Sequence, residues 1–113
     1  IPMSVQNTIR HIEPLELKER IEKGDALVLL DVREEDEIEV CALPNITHIP
    51  TGEIVARIHE LNPEDEIICI CHVGQRAYYV AQYLQERGFK NVSLLQGGMV
   101  SYAQQADPSL SIY

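Results

Sequence analysis

Apolar residues occur along this chain in two alternating forms: short continuous runs, and stripes spaced three and four residues apart. Residues 26–32, ALVLLDV, and residues 66–71, EIICIC, are continuous runs of strand length, which suits strands buried on both faces of a parallel sheet. Residues 8–12 (TIRHI), 46–50 (ITHIP) and 91–95 (NVSLL) predict three further short strands. Between the runs the spacing becomes helical. Pro14 fits a first helical turn, where its missing N–H costs nothing, and that helix is predicted to run through Leu17 and Ile21 to Lys23 and stop at Gly24. The acidic residues 33–39 predict a short helix. Thr51 is the expected cap of a helix over residues 52–61, with Ile54, Val55, Ile58 and Leu61 as its apolar stripe and Asn62-Pro63 as its end. Ala77, Val80, Ala81 and Leu84 mark a helix over residues 75–88 that stops at Gly88. Gly97-Gly98 predict a tight turn, followed by a final helix with Tyr102 in the core.

Strands alternating with helices predict an α/β fold of three layers, α/β/α, around a central and mostly parallel five-stranded sheet. Residues 8–113 are expected to form one domain behind a tail at residues 1–7, since the chain shows no repeat, low-complexity tract or linker. In such sheets ligands bind beyond the carboxyl ends of the strands.

Composition narrows the class. A chain of 113 residues, 45% apolar and 24% charged, can close one hydrophobic core as a globular domain. It contains no run near the roughly 18 apolar residues that a membrane span needs. The net charge of −9 repels phosphate backbones, so nucleic acid is not an expected partner. A small anionic substrate would need a local positive field of its own. Much of the acidity sits in REEDEIE, residues 33–39, read as a solvated helical face. Three cysteines (Cys41, Cys69 and Cys71) and no basic-then-apolar leader pattern argue for a reducing compartment, and the cytoplasm is the expectation.

The chemistry concentrates in residues 69–77, CICHVGQRA. On a strand Cys69 and Cys71 point to one face, because side chains repeat every second residue. Cys69 lies between Ile68 and Ile70 and suits a core position. Cys71 ends the strand, and Gly74 permits a tight loop before the next helix. Backbone N–H groups from His72 to Ala77, the positive end of that helix and Arg76 would together favour an exposed thiolate at Cys71. A zinc site built on Cys69, Cys71 and His72 lacks a second ligand cluster, so no metal is expected. Cys41 could act as a resolving thiol if its loop folds toward Cys71.

CHVGQRA resembles the active-site loop of single-domain rhodaneses, whose pattern is Cys-x-x-Gly-x-Arg-Ser/Ala ahead of a helix. LLDVREEDEIE is similar to the family's Asp-Val-Arg stretch and later acid, here Asp31, Val32, Arg33 and Glu37. YLQERGFKNVSLLQGGMVSYA is similar to its Gly-Phe and Gly-Gly segment, with Tyr102 where a tryptophan is usual. The tail ADPSLSIY is also like that of members with a Cys-His-x-Gly loop. The departure lies at residues 41–46, where only Pro44 keeps the usual Gly-His-Ile-Pro-Gly-Ala pattern.

The resemblance implies sulfane-sulfur transfer without a cofactor. Cys71 would be the nucleophile, and His72, Val73, Gly74, Gln75, Arg76 and Ala77 would form the substrate cradle. Asp31 and Arg33 would fix the loop after their own strand, with a place near the pocket as the alternative. The implied partners are a small donor, thiosulfate or a persulfide, and a thiol acceptor, small or protein, with cyanide as a substitute in an assay. Phosphatases of the same fold carry Cys-x5-Arg. Counted from Cys71 that arginine position is Ala77, and counted from Cys69 it is Gln75, so phosphate chemistry is disfavoured. A non-catalytic rhodanese-like binding module and a Cys41–Cys71 redox sensor are the other readings.

Overall fold

A computed structural model describes residues 8–111; the expected tail at residues 1–7 lies outside the described residues. The described chain forms β1 (Arg10–Ile12), α1 (Pro14–Glu22), β2 (Val28–Asp31), α2 (Glu35–Val40), β3 (Thr47–His48), α3 (Ile54–Arg57), β4 (Glu66–Ile70), α4 (Gln75–Glu86), β5 (Asn91–Leu95) and α5 (Gly98–Gln105). The strands make a single five-stranded sheet in the order β1-β5-β4-β2-β3, and every pairing is parallel rather than most of them. The central strands β2, β4 and β5 carry the apolar runs because both of their faces are covered.

Alternation along β4 divides the core in two. Ile67 and Cys69, with Cys71 just past the strand, pack on one face with Leu30, Ile54, and Val80, Ala81 and Leu84 of α4. Ile68 and Ile70 pack on the other with Leu17 of α1, and Met99 and Tyr102 of α5. The α4 stripe and Tyr102 are buried as their spacing predicts. Burial of each large aliphatic side chain contributes about 1.5–3 kcal/mol, so the paired layers hold the end of β4 rigidly.

The predicted helix over residues 52–61 is broken. One 3₁₀ turn, Thr51–Glu53, precedes α3 and another, Ile58–Glu60, follows it. The tighter 3₁₀ winding rotates the stripe. Ile54 and Leu61 stay buried while Val55 becomes 69% exposed. Thr51 does not cap α3 either; its hydroxyl donates to the Val32 carbonyl at 3.0 Å, as does its backbone N–H. Among the described residues no helix is long and apolar enough to cross a membrane.

Candidate active site

The chain leaves β4 at Ile70 and turns through residues 71–74 into α4. Gly74, the residue before that helix, has φ +108°, a left-handed angle that a side chain strongly disfavours. This turn folds the start of α4 back over Cys71. The Gly74 N–H donates to Cys71 Sγ at 3.0 Å and the Ala77 N–H donates to it at 3.3 Å. An α-helix leaves its first amides without helical partners, and a side-chain oxygen usually accepts from them. Here no side chain of the N-cap residue does so, and the Cys71 sulfur takes that place. Of the amides from His72 to Ala77, those of Gly74 and Ala77 are directed at the sulfur, together with the helix N-terminus.

The two cysteines of the motif are both buried, and they differ in what surrounds the sulfur. Cys69 is fully buried in the α4-side core, and burial pushes its thiol well above the ordinary range, with Cys71 adding a lesser push. Cys71 is 1% exposed, so the loop encloses the sulfur instead of presenting it as expected. The loop winds tightly enough that the Ala77 N–H, six residues on, still reaches the sulfur. Cys41 packs in the other core, with Leu43 and Met99, so the sheet lies between it and Cys71. This placement removes the basis for a resolving role.

Other elements brace the loop. The first amides of α5 donate to it: Met99 N–H to Cys71 O at 2.9 Å and Val100 N–H to His72 O at 3.1 Å. Gly98 makes this approach possible. A Cβ at that position would lie 2.6 Å from Cys71 O and 2.4 Å from His72 O. Sequence reasoning read Gly97-Gly98 only as a turn; the glycine pair was the available signal, but its contact with the loop joins residues far apart in the chain.

Asp31 and Arg33 form a wholly buried ion pair, with Arg33 Nη2 2.8 Å from Asp31 Oδ2. Arg33 also donates to the Cys41 carbonyl at 2.8 Å, so the pair ties the end of β2 to the chain beyond α2. Neither residue belongs to the Cys71 cradle. Arg76 is directed at Glu37 of α2, with Nη1 and Nη2 donating to the two carboxylate oxygens at 2.7 and 2.9 Å. Its charge is thus engaged outside the cradle. Glu37 was visible in the motif, yet its partner lies 39 residues away, which no spacing rule reveals.

Outside the loop opens a groove of about 350 Å³ lined by Val73, Gly74, Gln75, Tyr78, Tyr79 and Gly97, among others. Val73 and Tyr79 are exposed there. His72 is half-buried on the same loop.

Known proteins resemble this chain over most of its length. Residues 13–105 match the family described as the rhodanese-like domain. YtwF of Bacillus subtilis is 37% identical over 100 residues, covering 88% of this chain and 96% of YtwF. The thiosulfate sulfurtransferase GlpE of Coxiella burnetii is 31% identical over 93 residues, 82% of this chain and 86% of GlpE. The crystal structure of a rhodanese-like domain protein from Staphylococcus aureus superposes with a TM-score of 0.80 at 26% identity, covering 93% of this chain and 99% of that one. With the matched residues spanning four of the five strands and the cysteine loop, the chain belongs to the rhodanese-like domain family.

Proposed function

We propose that this chain is a sulfurtransferase that carries a sulfane sulfur on Cys71. The observation that supports this most directly is the Cys71 sulfur accepting the Gly74 and Ala77 amides at 3.0 and 3.3 Å. Backbone donors fixed in this way stabilise a thiolate before reaction and a terminal persulfide anion after it. The existence of a thiosulfate sulfurtransferase among the relatives supports the same chemistry.

In the first half-reaction the Cys71 thiolate attacks the outer sulfur of thiosulfate. A new S–S bond forms at Cys71, the sulfur–sulfur bond of thiosulfate breaks, and the electron pair leaves with sulfite. A persulfide donor reacts in the same way and releases a thiolate. In the second half-reaction an acceptor thiolate, or cyanide, attacks the terminal sulfur and regenerates the Cys71 thiolate. Two half-reactions through one covalent intermediate give ping-pong kinetics. Gly74 and Ala77 hold the anion; His72, Val73 and Gln75 form the rim that donor and acceptor cross; Arg76 acts on donor charge only as far as its pairing with Glu37 leaves it; Asp31 and Arg33 hold the neighbouring loop. The groove with exposed Val73 and Tyr79 suits a thiol acceptor with apolar surface, and so supports a protein acceptor.

Intact mass after incubation with thiosulfate tests the reading. The parent gains about 32 Da, the mass of one sulfur left by thiolate attack, and Cys71→Ser gains nothing. Absence of any adduct, with thiosulfate and with an organic persulfide alike, rejects sulfur transfer.

A further inference from the structure

Among residues 71–77 Arg76 is the only arginine or lysine, so the loop's fixed positive charge rests on it. That charge is answered by Glu37. The two side chains meet fork to fork at 2.7 and 2.9 Å, a geometry that fixes orientation as well as charge. Glu37 is itself held in place. Its Oε1 accepts the Glu34 N–H at 2.8 Å, as half of the capping box that starts α2. The carboxylate cannot swing away without opening that first turn. The pair is partly sheltered, the side chains being 35% and 17% exposed, which weakens screening by salt.

The pair has no net charge, so an approaching anion meets the cradle amides but no net side-chain charge on the loop, and a repulsive field from a chain of net charge −9. Coulomb energy scales with the charge of the visitor. A dianion therefore suffers the square of the factor that a monoanion suffers. Resting on the sulfur-transfer reading above, we propose that Glu37 is a specificity-determining residue. By neutralising Arg76 it disfavours dianionic sulfur donors such as thiosulfate and leaves donors of lower charge preferred.

Thiosulfate and methanethiosulfonate test this cleanly, because a methyl group replaces one charged oxygen and the reaction is otherwise the same. Thiolate attack on the outer sulfur of either donor leaves a Cys71 persulfide and releases sulfite from the first or methanesulfinate from the second. Glu37→Gln keeps an oxygen for the Glu34 N–H and removes the charge. It is expected to raise kcat/KM about threefold for the monoanion and about ninefold for the dianion, as the square relation requires. Arg76→Gln moves the ratio of the two in the opposite direction. Equal changes for both donors, or a fall for thiosulfate in Glu37→Gln, overturn the proposal.

Alkylation separates this outcome from failure of the transfer reading, since it needs no sulfur donor. The ratio of iodoacetate to iodoacetamide rates at Cys71, read by peptide mass, is expected to rise about threefold in Glu37→Gln. An unchanged ratio overturns the charge assignment even if the parent transfers sulfur. A raised ratio in a protein that loads no sulfur upholds it and rejects only the transfer reading.

Discussion

Gly98→Ala is the substitution whose consequence can be worked most fully from the structure. Gly98 has φ +64°, and an L-residue held there costs roughly 1–2 kcal/mol. The added Cβ would also sit 2.4 Å from His72 O and 2.6 Å from Cys71 O. Those atoms are backbone, so no side-chain rotation relieves the clash; the cysteine loop and α5 must separate. Overpacking of this kind costs about 1–3 kcal/mol, and separation also lengthens the bonds from Met99 and Val100 to the loop. We predict a total loss of about 2–5 kcal/mol.

Gly88→Ala is the matched control. Its φ is +90°, but a Cβ there would meet nothing within 4 Å, so only the backbone cost applies. Urea melts of parent and variants measure the two costs, and the Gly74 and Ala77 amide resonances report the N–H···S contacts directly. Both resonances should move in Gly98→Ala and stay in place in Gly88→Ala. Sulfur loading from thiosulfate should fall more than tenfold in the first variant only, since a displacement of about 1 Å can cost about a hundredfold in rate. If Gly98→Ala is no more destabilising than Gly88→Ala and leaves both amides in place, the clamp between α5 and the loop does not position Cys71.

Two further predictions concern the frame around the site. Asp31→Asn removes the carboxylate charge paired with the wholly buried Arg33 guanidinium, and breaking such a pair costs about 3–5 kcal/mol; a urea-melt loss under about 1 kcal/mol would show the pair to be solvated in solution. Glu66 is held below the ordinary carboxyl range by hydrogen bonds from Arg20, at 2.6 and 2.7 Å. A depressed folded-state value stabilises the fold above the unfolded value, near pH 4.3, and the contribution disappears as pH falls through the lowered one. Glu66→Gln should therefore flatten that part of the acid limb of stability against pH, and an unaltered limb would contradict the assignment.

Much of the site was legible in the sequence because its central parts are local. Cys71, Gly74 and Ala77 lie within seven residues, and a strand that ends at a cysteine, a glycine and a helix start can close only a few ways. The α4 stripe was equally plain, since Ala77, Val80, Ala81 and Leu84 share one helical face and all four are buried. Where turns of different pitch follow one another, periodicity misled: Val55 belongs to a stripe only if residues 52–61 wind uniformly, and they do not.

By itself the sequence determined the parallel α/β layering, the strand end that bears Cys71, and the placement of Cys69 inside the core strand. Each follows from spacing between near neighbours, where side-chain period and backbone freedom are set residue by residue. Only the tertiary structure decided what surrounds Cys71. It enclosed Cys71, turned Arg76 toward Glu37, brought α5 against the loop through Gly98, and put the sheet between Cys41 and Cys71. These relations join distant segments whose distance and direction depend on how the layers pack, and packing is a property of the assembled whole.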